Sequence, residues 1–182
     1  MSSLRGATGA RSTLMALVKV TIDDGIAELV LDRPKVNAMS RALLEEMLTS
    51  FRRLHDHEQV RGVLVRGEGK CLSAGLDLVE LAGLRDSDLR DYLDLVETAF
   101  TAAFTFPKPV AAAVHGHAVA GGMVLALSAD HVVLGRGGYK LGLTELAVGV
   151  PFPRPAYEIV RLAMTPRALH ATVHGAGTYG PS

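Results

Sequence analysis

The sequence predicts an α/β domain, and two observations carry that prediction. Short β-branched apolar runs alternate along the chain with amphipathic segments of helical period, and the series opens on a hairpin signal. With 182 residues the chain is long enough for one domain with a substantial core.

In order, Leu17–Asp23 and Ile26–Leu31 read as strands joined by the Asp24-Gly25 dipeptide, a strong short-range hairpin signal. Arg33-Pro34 breaks the pattern. Ser40 reads as the N-cap of a helix to about His55, with Leu43, Leu44, Met47, Leu48, Phe51 and Leu54 at helical spacing and Glu45 in the first turn. Val60–Val65 is a short apolar strand. Gly67 then opens a loop to Gly75, and Asp77 is placed to cap a short helix toward Leu84. Ser87–Phe104 is a second amphipathic helix, stopped before Pro107 and Pro109. Val110–Val114 reads as a buried strand, Gly121–Ser128 as a helix and Asp130–Leu134 as a strand. Thr144, Pro151–Leu162 and Pro166–Val173 mark further short helices.

Composition removes several function classes. Formal net charge is zero, so no bulk signal points to a nucleic-acid partner or an anionic membrane. The single cysteine, Cys71, excludes an internal disulfide framework and suits a reducing, cytoplasmic setting. The longest apolar-rich stretch, Val110–Leu127, is broken by Gly116, Gly121, Gly122 and two histidines, whereas a membrane helix needs about 20 mostly apolar residues. Residues 1–14 are Arg- and Ser-rich without an acid. They read as a disordered leader or a start assigned upstream of Met15, with a mitochondrial transit peptide as the alternative. Residues 15–182 make up the domain, which reads as truncated at its C-terminus because Ser182 follows directly after a helix.

Two segments could carry chemistry through the backbone. Ser73-Ala74-Gly75-Leu76-Asp77 and Ala120-Gly121-Gly122 each follow a strand and open a helix. Free amides at a helix start point outward with the positive end of the dipole, and small residues let a ligand approach them. An enzyme that stabilises an oxyanion needs such donors, although plain close packing also uses strand–Gly–helix turns. Neither segment carries a dinucleotide fingerprint or the Gly-Lys-Ser/Thr of a P-loop. Glu145 lies in an otherwise apolar stretch, Leu141–Gly149, where burial would raise its pKa toward the range useful for proton transfer; a solvated helix-start glutamate is the alternative. His115 and His117 lack a zinc-like ligand set, so no metal is expected. Cys71 has no identifiable histidine partner and reads as an inert thiol. No Gly-x-Ser-x-Gly elbow is present.

Together these segments resemble the crotonase superfamily, the enoyl-CoA hydratase/isomerase family, over roughly Leu17–Pro181. The motifs that carry the resemblance are Arg33-Pro34-Lys35-Val36-Asn37-Ala38, Gly69–Leu78, Pro107-Lys108-Pro109-Val110, Gly116–Gly122, Ala129-Asp130 and Glu145 with its flanks, in the family's order. The resemblance implies a spiral of ββα units. It also implies an acyl-CoA or enoyl-CoA substrate, no separate cofactor, and a homo-trimer or hexamer that the missing C-terminal helices put in question. It assigns the oxyanion hole to the amides of Leu76 and Gly121. Lys35 and Val36, together with Lys70, Ala74, Asp77 and Gly122, are implied as the surface for substrate and CoA.

One departure bears on the reaction. Hydratases of the family use two glutamates; the first falls three residues after the oxyanion-hole glycine, where this chain has Val124, and the second falls at Glu145. A lone carboxylate suits a proton shuttle, the mechanism of Δ3-Δ2-enoyl-CoA isomerases, which the motif wording also resembles. A hydratase or another enolate-forming reaction is the alternative, and a non-catalytic acyl-CoA-binding or inactive truncated protein is the alternative of another class.

Overall fold

The computed structural model describes residues 16–181, so the leader expected over residues 1–14 lies outside the described residues. The chain begins with the expected hairpin, β1 (Val18–Asp23) antiparallel to β2 (Ile26–Leu31). Asp24 and Gly25 take φ of 40° and 80°, the left-handed backbone that a tight hairpin turn requires.

Helix α1 (Arg41–His55) buries the six apolar residues that its period puts on one face, and the Ser40 hydroxyl accepts from Leu43 N at 3.2 Å. Glu45 is not in the first turn: the helix starts at Arg41, which puts Glu45 in the second. The acid at this helix start comes from a distant residue, Glu80, whose Oε2 accepts from Arg41 N at 3.1 Å. At the other end Lys108 Nζ donates to Leu54 O, in the last turn, and to His57 O, just beyond it, 2.8 Å each, and so ties the end of the helix to the segment before Val110.

From there the chain repeats a ββα unit. β3 (Gly62–Gly67) leads to β4 (Cys71–Ser73) and then to α2 (Leu78–Gly83) and α3 (Asp86–Phe104). β5 (Val110–Val114) leads to β6 (His117–Val119) and α4 (Gly121–Leu127). β7 (His131–Leu134) leads to β8 (Leu141–Gly142), a single 3-10 turn at Leu146–Val148, and then α5 (Arg154–Ala163) and α6 (Pro166–Gly175). The first strand of each unit joins a five-stranded sheet of order β1-β2-β3-β5-β7, parallel except for the hairpin; the second joins a parallel three-stranded sheet of order β4-β6-β8. This is the α/β spiral that the resemblance implies.

The differences from the sequence reading have local causes. β3 runs to Gly67, two residues past the apolar run, because it pairs with the whole of β2 from Ile26–Gly62 to Leu31–Gly67. Asp130 stays out of β7; its Oδ2 accepts from Val110 N at 2.8 Å and fixes the start of β5. The three strands of the small sheet, two or three residues each, are too short to show a period, so the glycine turns follow β4 and β6 and not the longer apolar strands. Among the described residues, no helix is long and apolar enough to cross a membrane.

Candidate active site

The first glycine turn is held from below by the segment that follows β2. Asn37, 2% exposed and at φ 51°, accepts from Arg33 N through Oδ1 (2.8 Å) and donates through Nδ2 to Glu68 O (3.1 Å) and Cys71 O (2.8 Å). Ser73 Oγ donates to Asn37 O at 2.7 Å and accepts from Gly75 N at 3.1 Å. Tyr92 Oη donates to Met39 O at 2.5 Å, and burial pushes that hydroxyl up to about 12, so it stays a donor. Met39 N donates to Gly75 O at 2.8 Å and Asp77 N to Met39 O at 3.3 Å. This parallel bridge turns the intervening Leu76 N–H away from Met39, and no acceptor for it occurs among the described residues. Asn37→Ala removes three hydrogen bonds, one of them to the buried Cys71 carbonyl; the expected loss is roughly 3–5 kcal/mol of unfolding free energy, measured by denaturant titration.

The second turn presents an equivalent amide. Ala120 precedes α4 at φ 50°, ψ −126°, a backbone that L-residues seldom adopt. It is pinned by its own N–H to Gly142 O (2.8 Å) and by Met123 N and Val124 N to its carbonyl (2.8 and 3.1 Å). Gly121, first in the helix, has no acceptor for its N–H among the described residues. The two turns touch. A Cβ on Gly75, where φ is +90°, would lie 2.7 Å from Ala120 Cβ and 3.1 Å from Gly121 N.

Leu76 and Gly121 line one cavity of about 180 Å³, and Glu145 lines it with them. β8, between β6 and the Tyr179 backbone, brings Glu145 there: Leu141 exchanges hydrogen bonds of 2.9 and 2.8 Å with Tyr179. Glu145 is 6% exposed, and its Oε2 is buried without a hydrogen-bond partner. Desolvation pushes its pKa up to about 7. Val124, fully buried, is on the wall of the same cavity. Apart from Glu145, the only polar side chain on the lining among the described residues is that of Thr144. The arrangement combines two unused amide donors, one acid poised near neutrality and apolar walls, which can stabilise an oxyanion and transfer a proton beside it.

The other residues singled out from the sequence divide. Ala74 lines the cavity. Lys35, Val36 and Lys70 are exposed and do not line it; Val36 O accepts from Ala74 N at 3.0 Å, which ties that segment to the first turn. Asp77 also lies off the cavity: its Oδ1 caps α2 through Val79 N and Glu80 N, and its Oδ2 meets Arg33 at 2.6 Å. Burial raises the Asp77 pKa, but the Glu80 amide and Arg33 outweigh it and hold the carboxyl below its usual value. Gly122 packs against the Ser73 carbonyl, which any side chain there would overlap. His115 Nε2 lies 3.0 Å from Gly69 O and His117 Nδ1 accepts from Lys140 N at 3.0 Å; no group of three metal-ligating side chains occurs among the described residues. Cys71 is buried, and burial pushes its thiol up. Sequence reasoning missed the brace formed by Ser73, the strained Ala120, and the wall that Val96 and Phe100 supply from α3. The helical period of α3 shows the last two as core without saying what they face.

Comparison with known proteins agrees with this architecture. A family model for enoyl-CoA hydratase/isomerase matches residues 21–173. A Bacillus subtilis (strain 168) protein named "Probable enoyl-CoA hydratase" is 33% identical over 137 residues, 75% of this chain and 53% of its own length. The rat "Enoyl-CoA delta isomerase 1, mitochondrial" is 31% identical over 154 residues, 82% of this chain and 53% of its own. A solved structure described as an enoyl-CoA hydratase/carnithine racemase from Magnetospirillum magneticum superposes with a TM-score of 0.86 at 23% identity, covering 92% of this chain and 64% of that one. The chain thus spans a little over half the length of these two curated relatives. Its fold and its family match agree: the chain belongs to the enoyl-CoA hydratase/isomerase family, the crotonase superfamily.

Proposed function

We propose that this site moves the double bond of an enoyl-CoA thioester, from the 3,4 to the 2,3 position, with Glu145 as the only proton carrier. The observation that carries the reading is a cavity with two unused amides and one buried carboxylate, in which Val124 stands where a second carboxylate would be needed to activate water. The thioester oxygen accepts from Leu76 N–H and Gly121 N–H. Ionised Glu145 takes a proton from carbon 2, the electron pair delocalises into a dienolate whose charge rests on that oxygen, and the protonated Glu145 returns the proton at carbon 4. Atoms balance within the substrate, so no cofactor or metal takes part. Lys35 and Lys70, exposed and without an ion-pair partner among the described residues, suit the phosphates of CoA, with Val36 and Ala74 beside its pantetheine arm. Asp77 and Gly122 serve this surface indirectly, by holding the two turns. Assembly as a trimer or hexamer is part of the same reading.

A second reading, hydration, is favoured by the name of the Bacillus subtilis relative and by the Thr144 hydroxyl on the cavity wall, which can hold a water. Supplying a 3-enoyl-CoA and following the conjugated thioester separates the two. Conversion to the 2-enoyl product supports the isomerase; hydration of a 2-enoyl-CoA well above background without double-bond migration supports the second reading. Tight thioester binding without any conversion rejects both.

A further inference from the structure

The chain carries seven histidines, and two of them meet on one helix. His170 and His174 lie four residues apart on α6, with ring centres 4.6 Å apart and planes tilted by 41°. The local sequence sets this pair up. Leu169 and Val173 form the row that packs on the core, with Val173 5% exposed, and that row fixes the rotation of the helix. The next row, one residue further on, is His170 and His174, and it stands in solvent.

Both spacing and distance suit shared coordination of an ion. Residues four apart on a helix have Cβ atoms about 5–6 Å apart, the spacing at which two histidines of one helix bind zinc. Imidazoles that ligate one ion from adjacent positions, at about 2.0–2.1 Å each, bring their ring centres to roughly 4.5–5 Å. The observed separation falls in that range. Ring packing alone does not account for the pair, since a 41° tilt is neither a parallel stack nor an edge-to-face contact.

The surroundings select the kind of ion. No Asp or Glu follows Glu158 in the sequence, and Glu158 is paired with Arg161 at 2.7 Å. Hard cations such as Mg²⁺ depend on oxygen ligands and find no carboxylate on this helix. Imidazole instead suits zinc, nickel and copper. His174 lies in the last turn, where open carbonyls carry the negative end of the helix dipole and favour a cation. Three other histidines already have local partners: His55 meets Asp56, His115 meets Gly69 O and His117 meets Lys140 N.

We propose that His170 and His174 together form a surface site for one divalent transition-metal ion, of the class that prefers imidazole, with water in its remaining positions. The site is separate from the cavity of the two glycine turns and stands whether or not the thioester reading does.

The test is calorimetric titration of Ni²⁺ and of Zn²⁺, with Mg²⁺ as the control, into the full chain without an affinity tag and stripped of metal. One nickel or zinc ion per chain is expected to bind, and Mg²⁺ is not. On the folded helix the second imidazole is an intramolecular ligand, so His170→Ala and His174→Ala should each lower the affinity by about 10²-fold. His115→Ala should bind as the wild type does. All three positions are exposed, so none of these substitutions disturbs the core. Affinity that is unchanged in both α6 variants, or lost in only one of them, overturns the proposal. So does an equal loss in His115→Ala, or Mg²⁺ binding as tight as that of nickel and zinc.

Discussion

Glu145→Gln is expected to slow double-bond migration by about 10²–10⁴-fold, the contribution typical of a positioned acid–base group, with acyl-CoA affinity nearly unchanged. Gln keeps the shape and polarity of the side chain but cannot take a proton from carbon. The same substitution is expected to alter stability in a pH-dependent way. In the unfolded chain this carboxyl ionises near its ordinary value of 4.5, while in the fold burial holds it protonated to about 7. Folding therefore favours the protonated form, and the wild type loses stability as pH rises from about 4.5 to 7, after which the loss is complete. The full penalty is about 3 kcal/mol. Urea titrations should find the Gln variant similar to wild type near pH 4 and more stable at pH 8. Catalysis has the opposite sign: the base must be ionised, so kcat/KM should rise with pH, reach half its maximum near 7 and level off above. A flat profile across that range would remove Glu145 as the titrating base.

Gly75→Ala is the second large effect, and it acts on both donors. The position has φ of +90°, which costs an L-residue about 1–2 kcal/mol. Its new methyl would also lie 2.7 Å from Ala120 Cβ and 3.2 Å from Val119 O, where carbon contacts ordinarily start near 3.5 Å. No flexible side chain is there to rotate away, so the two turns must separate, and Leu76 N–H and Gly121 N–H separate with them. The expected result is a destabilisation of roughly 2–5 kcal/mol and a rate loss of at least about 10²-fold, the effect of one misplaced oxyanion donor. Ala120→Gly should rescue part of it, since it deletes the clashing methyl and relieves the strain of Ala120 at φ 50°. A double-mutant cycle reads that coupling. Purely additive losses would mean that the turns do not communicate through this contact.

Much of this architecture was legible from residues alone, for identifiable reasons. α1 was readable because Ser40, a favoured capping residue, precedes six apolar side chains that repeat on one face; the hairpin was readable because Asp24-Gly25 supplies two left-handed positions. Glu145 stood out because its neighbours are apolar, and burial does raise its pKa. Convergence was not legible locally. Nothing in Ser73–Asp77 says that it packs against Ala120-Gly121, because that contact depends on β4 and β6, whose three residues each leave no periodic trace. Only the order of the motifs, as a family resemblance, brought them together. Asp77 and Gly122 belong to the substrate surface only through the resemblance; locally Asp77 reads as a helix cap, which the structure shows it to be, and Gly122 sits at a close backbone approach to Ser73.

The central claim concerns the position of one atom, the carbonyl oxygen of a bound thioester, and a crystal structure with hexanoyl-CoA tests it most directly. The account predicts that oxygen within about 2.7–3.1 Å of both Leu76 N and Gly121 N, with a Glu145 carboxyl oxygen against carbon 2. A thioester oxygen bonded elsewhere, or Glu145 swung out of the cavity with the ligand in place, would contradict it.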